Sequence, residues 1–190
     1  MADLIQHTMT KAEREAKRAE KLAKAEAERM EKIKNLPDSV HGAPMIDIEY
    51  TTIPSRELKN KRREFNGIRK EFLKMLAKDQ VAQLKLAGLT EKHIELIAAG
   101  HCPNGWNVHH KKPLGGGGKN EFANFILIKN DPYHEDFHKT SDLQLLHMKE
   151  GETRIVKMPT PVGNVFISPE QQKQNELTAT ALRLKMQRSR

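Results

Sequence analysis

The sequence predicts an α+β protein: a mostly helical domain built around two antiparallel strands and a following helix, with an N-terminal charged helical arm. Three observations carry this expectation. A charged, alanine-rich block fills residues 10–34, apolar residues recur at helical spacing between 55 and 100, and two short apolar runs flank a glycine-rich loop before a helix start near residue 131.

In the arm, residues 1–36, Thr10 followed by Glu13 forms a capping box, and Glu13–Lys17, Glu20–Lys24 and Glu28–Lys32 lie four apart, where opposite charges support a helix. Ala12, Ala16, Ala19, Ala23 and Ala27 lie near one face, but alanine buries little area, so the arm reads as a solvated helix or short coiled coil. Its functional alternative is a handle for a partner or for delivery. Residues 37–54 read as a linker with an extended segment at Met45–Tyr50, and residues 55–190 as the globular domain.

Within that domain, Phe65, Ile68, Phe72 and Leu76 predict an amphipathic helix over 56–78, with Lys59, Lys61, Arg62, Arg63, Arg69 and Lys70 on its other face. Such a charged face is usually just solvated, although it could also grip a sugar-phosphate backbone. Two short helices follow, broken at Gly88, the second capped by Thr90 and ending near Gly100. Trp106–His110 and Phe125–Ile128 read as strands, and Gly115 to Gly118 make the loop between them flexible and able to approach a ligand closely.

Asp131-Pro132 is a helix start, Asp as cap and Pro at the first helical position. The helix so begun puts His134 and His138 four apart on one face, where two imidazoles on adjacent turns can bind one metal ion. Asp142 to Met148 continues helically. Arg154–Met158 and Val162–Ile167, separated by Pro159 and Pro161, predict a β-hairpin. Ser168-Pro169-Glu170-Gln171 opens a last helix with an apolar stripe at Leu177, Ala181 and Leu184, and a basic end at Arg183, Lys185, Arg188 and Arg190.

His109-His110-Lys111-Lys112-Pro113-Leu114, four glycines, Asn124, His134 and His138 fall within thirty residues. This order resembles the HNH (ββα-metal) nuclease motif, most closely the version in bacterial DNase toxins of the colicin and pyocin kind. The longer stretch from Ala87-Gly88-Leu89-Thr90 through His138 is similar to nuclease domains of polymorphic and secretion-system toxins. The resemblance spans roughly the middle third of the chain and leaves out the first sixty and last forty residues.

The resemblance implies that His109, His134 and His138 are metal ligands and that His110 is the general base activating the attacking water. It implies that Asn124 braces the loop and the second histidine through hydrogen bonds. Taken alone, Asn124 is also an ordinary turn residue. Asn130, the competing asparagine, sits too near His134 for the motif's middle position. The expected cofactor is a divalent metal ion, since three neutral imidazoles suit zinc or another transition metal; magnesium is the alternative. Lys111, Lys112 and Lys139 are the expected nucleic-acid contacts. His7, His41, His93, His101 and His147 read as structural or solvent-facing. The single Cys102 builds no disulfide within the chain and reads as a small buried residue rather than a nucleophile.

Lys and Arg outnumber Asp and Glu by 33 to 25, a net charge of +8 that favours a polyanionic partner but is by itself a weak signal. No apolar run is long enough for a bilayer and no secretory leader opens the chain, so no membrane partner is expected.

The reading that unites these features is a metal-dependent DNA endonuclease of little sequence specificity, because no second DNA-reading module is evident. It would be an antibacterial toxin effector or toxin domain, made in the cytoplasm and delivered to a target cell by a secretion-system carrier. A small acidic immunity protein would silence it in the producer. The alternatives are a phage or mobile-element HNH endonuclease, a non-catalytic zinc-stabilised nucleic-acid-binding module, or an adaptor working through its charged arm.

Overall fold

The computed structural model describes residues 9–188; His7, Arg190 and the outermost ends of the predicted arm and domain lie outside them. The chain divides into two units, residues 1–36 and 37–190. In the first, α1 (Lys11–Lys34) buries none of its residues. The Thr10 hydroxyl accepts from the Glu13 amide at 3.2 Å, and the Thr10 amide donates to the Glu13 carboxylate at 2.7 Å. Glu13 therefore turns back to cap the helix rather than forward to Lys17.

The second unit is a mixture of helix and sheet. Its elements are β1 (Ser39–Val40), β2 (Ala43–Thr51), α2 (Ser55–Asp79), α3 (Val81–Leu86), α4 (Glu91–Ala98), β3 (Trp106–His110), β4 (Phe125–Lys129), α5 (Glu135–Leu145), β5 (Thr153–Pro159) and α6 (Pro169–Arg188). One antiparallel sheet runs β1-β2-β5; the other is the antiparallel pair β3-β4.

The stretch expected as a linker, residues 37–54, is part of this body, and the extended segment expected at Met45–Tyr50 lies within β2. β2 pairs with β5 from Met45↔Pro159 to Thr51↔Thr153, and its alternation turns Ile48 and Tyr50 toward Val156 and Met158. Side chains two apart share a strand face, so one buried apolar stripe fixes this register. The expected hairpin between 154–158 and 162–167 does not form. Pro159 and Pro161 lack amide hydrogens for such a ladder, and β5 is already paired with β2. Residues 162–167 turn to β4, where the Leu127 amide donates to Asn164 O at 2.8 Å and the Phe166 amide to Leu127 O at 2.9 Å.

β4 is covered on both faces, which explains its unbroken apolar run. Phe125 and Leu127 join Phe72, Leu73 and Leu76 of α2 and Ile94 and Ile97 of α4. Ile126 and Ile128 join Phe137 of α5 and Phe166. Burying each such side chain stabilises by about 1.5–3 kcal/mol, so the hairpin is anchored between two cores. α3 and α4 thus support the hairpin from one side. The last helix is held near its start, by Asn175 Nδ2 donating to Leu86 O at 2.8 Å. The stripe expected on it is not buried: Leu177 and Leu184 stand exposed.

The glycine run is a packed turn rather than a loose loop. Leu114–Gly116 forms a single 3-10 turn, and the Ile53 amide donates to Gly115 O at 3.1 Å. A β-carbon on Gly116 would overlap the Tyr50 ring, and one on Gly118 would overlap the Lys112 and Pro113 carbonyl oxygens. Gly117, at φ +81°, occupies the left-handed region. Close packing, not mobility, accounts for these glycines.

Candidate metal centre

Adjacent strand residues face opposite ways, and β3 uses this to split its paired histidines. His109, opposite Ile126, turns toward α5; His110, opposite Phe125, turns toward α2. The His109 ring lies 5.1 Å from that of His134 and 5.2 Å from that of His138, with Phe137 behind it at 6.1 Å. The His110 ring packs 4.4 Å from Phe65 and 4.8 Å from Phe125.

The helix that carries the other two histidines starts where the sequence predicts: Pro132 to His134 already have helical backbone and lead into α5. Asp131 has extended backbone (φ −106°, ψ 128°), as a residue before proline prefers, and α5 begins at Glu135 with His134 at its cap and no side-chain cap bond. The Asp131 backbone is the one a helix cap adopts, but among the described residues its side chain makes no hydrogen bond to the first turn. The one-turn spacing of His134 and His138 survives, and their Nε2 atoms lie 3.2 Å apart.

One ligand atom from each of His109, His134 and His138 lies within 4.8 Å of the others, so the three could hold a metal ion. Two imidazole nitrogens on a tetrahedral ion with bonds near 2.0–2.1 Å stand roughly 3.3 Å apart, close to the 3.2 Å of the His134–His138 pair. Burial, reinforced by the neighbouring histidines, pushes His109 down to about 3; burial and His138 push His134 down to about 4. Both rings are thus neutral near pH 7, the form that offers a lone pair to a cation.

These shifts make a prediction for the metal-free protein. Unfolded histidines titrate near 6.5, whereas folded His109 and His134 stay neutral to about 3 and 4. Between those limits the unfolded chain binds protons that the folded one refuses, so stability rises with pH. The contribution is complete above pH 6.5 and is lost as pH falls toward 4. Urea unfolding of chelator-treated protein across this window should show a loss of a few kcal/mol; a flat profile would contradict the burial of neutral imidazoles.

His110 is held by Asn120 rather than by the expected Asn124. Asn124 braces the loop only: its amide accepts from the Lys112 N–H at 2.8 Å and donates to Lys112 O and Lys119 O at 3.0 Å each. The bond to the second histidine comes from Asn120, whose Oδ1 lies 3.0 Å from His110 Nε2, while its Nδ2 donates to Lys61 O at 2.9 Å. Burial lowers the His110 pKa, and the Asn120 bond opposes that in part. Asn120 lies beyond the sequence signal because its second partner, Lys61 O, comes from α2, 59 residues away.

His109, His110, His134 and His138 all line one cleft of about 490 Å³. Of the cationic residues it has Arg62 in its wall; Lys111, Lys112 and Lys139 are not among its lining residues. The Lys111 ammonium donates to Ala123 O at 3.1 Å and that of Lys139 to Asp136 at 2.8 Å, which ties both to their own chain. His41, read as structural or solvent-facing, reaches Asp136 on α5 at 2.8 Å. His93 sits in the Thr90 cap, and His101 and His147 are exposed outside the histidine group. Burial pushes the half-buried Cys102 thiol up to about 11, so it stays protonated near neutral pH.

No family model matches the chain, and no solved structure matches it either. Among curated proteins it is similar to the uncharacterized protein YhhZ of Escherichia coli (strain K12), with 34% identity over 136 residues, 71% of this chain. The match covers 34% of that protein, so the chain spans about a third of the length of the curated relative it resembles.

Proposed function

We propose that this chain is a metal-dependent endonuclease of the HNH (ββα-metal) type that hydrolyses DNA phosphodiester bonds with little sequence specificity. The observation that carries the reading is the convergence of His109, His134 and His138 from a strand hairpin and its following helix, with His110 lining the same cleft. His109, His134 and His138 would hold a divalent ion, with zinc or another transition metal suited to three neutral imidazoles. When bound, such an ion supplies Lewis-acid stabilisation of the phosphate and leaving oxygens.

The remaining roles belong to the chain itself. Because Asn120 Nδ2 donates to Lys61 O, its Oδ1 faces His110 and accepts from Nε2–H. That bond fixes the tautomer and leaves Nδ1 as the atom that would take a proton from water. Phe65 and Phe125 hold the ring in place. Arg62, which has no ion pair among the described residues, would meet the phosphate charge where it enters the cleft. Asn124 keeps the intervening loop closed beneath these groups.

In its setting, the protein would be an antibacterial toxin effector or the toxin domain of a larger one, delivered by a secretion system and silenced in its producer by a small acidic protein. The net charge of +8 suits both DNA and an acidic inhibitor. Among the described residues no helix is long and apolar enough to cross a membrane.

A supercoiled-plasmid nicking assay with added zinc, cobalt, nickel, manganese or magnesium tests the proposal. Cutting should require metal, stop with excess chelator and return when metal is restored. Protein that cuts with no metal present, or never cuts with any, would refute it.

A further inference from the structure

Tyr50 contributes a phenol to the wall of the cleft that holds the histidines. It comes from β2, which covers the extended segment expected within the linker. The ring packs with Val156 and Met158, and the glycine turn lies flat against it: a β-carbon on Gly115 would stand 2.8 Å from its hydroxyl, and one on Gly116 would overlap the ring. With 8% of its surface exposed, the side chain is fixed between a sheet and a turn.

The ring is buried, but the hydroxyl is not sealed in: among the described residues the buried polar side-chain atoms without a partner are Thr52 Oγ1 and Asn130 Oδ1, not the Tyr50 oxygen. Among the described residues that hydroxyl has no hydrogen-bond partner, while Arg62 and Asp142, which also line the cleft, act on it through space. Burial, then Asp142, raise its pKa, and Arg62 opposes them, so the group stays protonated at neutral pH and is a donor. A rigid donor beside a cation, in a cleft with a candidate metal site, is matched to an anionic oxygen.

We propose that the Tyr50 hydroxyl donates a hydrogen bond to a nonbridging oxygen of the phosphodiester bound in this cleft, beside Arg62. The proposal rests on the nuclease reading and names a further residue that touches its substrate. No proton is transferred; the bond shortens as negative charge builds on the phosphate oxygens, so the contribution falls on turnover more than on binding.

The test compares the full-length metal-loaded wild type, Tyr50→Phe and His110→Ala for plasmid nicking, metal content and melting temperature. Tyr50→Phe removes one oxygen and keeps the ring against Gly116. It should lower kcat by about 10- to 100-fold, toward the lower range seen when one oxyanion donor is lost, with KM, metal content and melting temperature unchanged. Nicking by Tyr50→Phe at the wild-type rate while His110→Ala is inactive would overturn the Tyr50 assignment and leave the nuclease reading standing. A lowered melting temperature with a rate loss matching the folded fraction would make Tyr50 structural and overturn it too. A wild type that never cuts would remove the nuclease reading itself, and this role with it.

Discussion

His110→Ala should abolish plasmid nicking, a loss of about 10²- to 10⁴-fold, while the protein still binds its metal. The separation follows from the strand: His109 faces α5 and the other two histidines, whereas His110 faces α2 and touches Phe65, Phe125 and Asn120. Truncation removes a group that could accept a proton and leaves the candidate ligands in place. It also opens a gap between two phenylalanines, which costs packing. His110→Gln keeps most of the volume and separates the two effects: it should melt closer to wild type and remain inactive. Metal analysis and single-turnover nicking on the same preparations decide the matter. Undiminished cutting by either variant would remove His110 from the chemistry.

His134→Ala should lose metal affinity and activity together. It deletes one of three nitrogens that could share an ion, and loss of a direct ligand should exceed the 10–100-fold cost typical of losing an outer-shell partner. The clearest readout needs no DNA. Metal binding to the folded wild type should raise its melting temperature, by the equivalent of about 2.7 kcal/mol at a hundred times Kd. His134→Ala should show little such rise at the same concentration. In acid the metal-free variant should lose less stability than metal-free wild type, since it lacks one buried imidazole that stays neutral down to about 4. A full thermal shift in His134→Ala would mean that the metal binds elsewhere.

Local signals carried most of what the sequence revealed. The apolar period of α2, the Thr90 cap of α4 and the β-branched run of β4 each depend on near neighbours, and each element forms where those signals lie. The pairing of His134 with His138 is likewise legible, because one helical turn sets it, whereas His109 joins them through the resemblance to the HNH motif. What failed was non-local. The extended segment at Met45–Tyr50 is legible, but nothing within Ala43–Thr51 names β5, about a hundred residues on, as its partner, so the strand reads as part of a linker. Asn120 is hidden for the same reason, since its value lies in bridging His110 and the α2 backbone at Lys61. The glycine run misled in another way: composition alone does not distinguish a turn that moves from one pressed against a tyrosine ring.

The β2–β5 ladder has a practical consequence for anyone trimming this protein. A fragment starting at Ser55 would discard β2 and leave β5, seven residues long, without its ladder neighbour. Bare amides and carbonyls along such an edge recruit other chains, so the shortened product would tend to clump whatever its chemistry. Insolubility of that fragment would report a severed seam, and a fragment cut ahead of Pro37 keeps the seam whole.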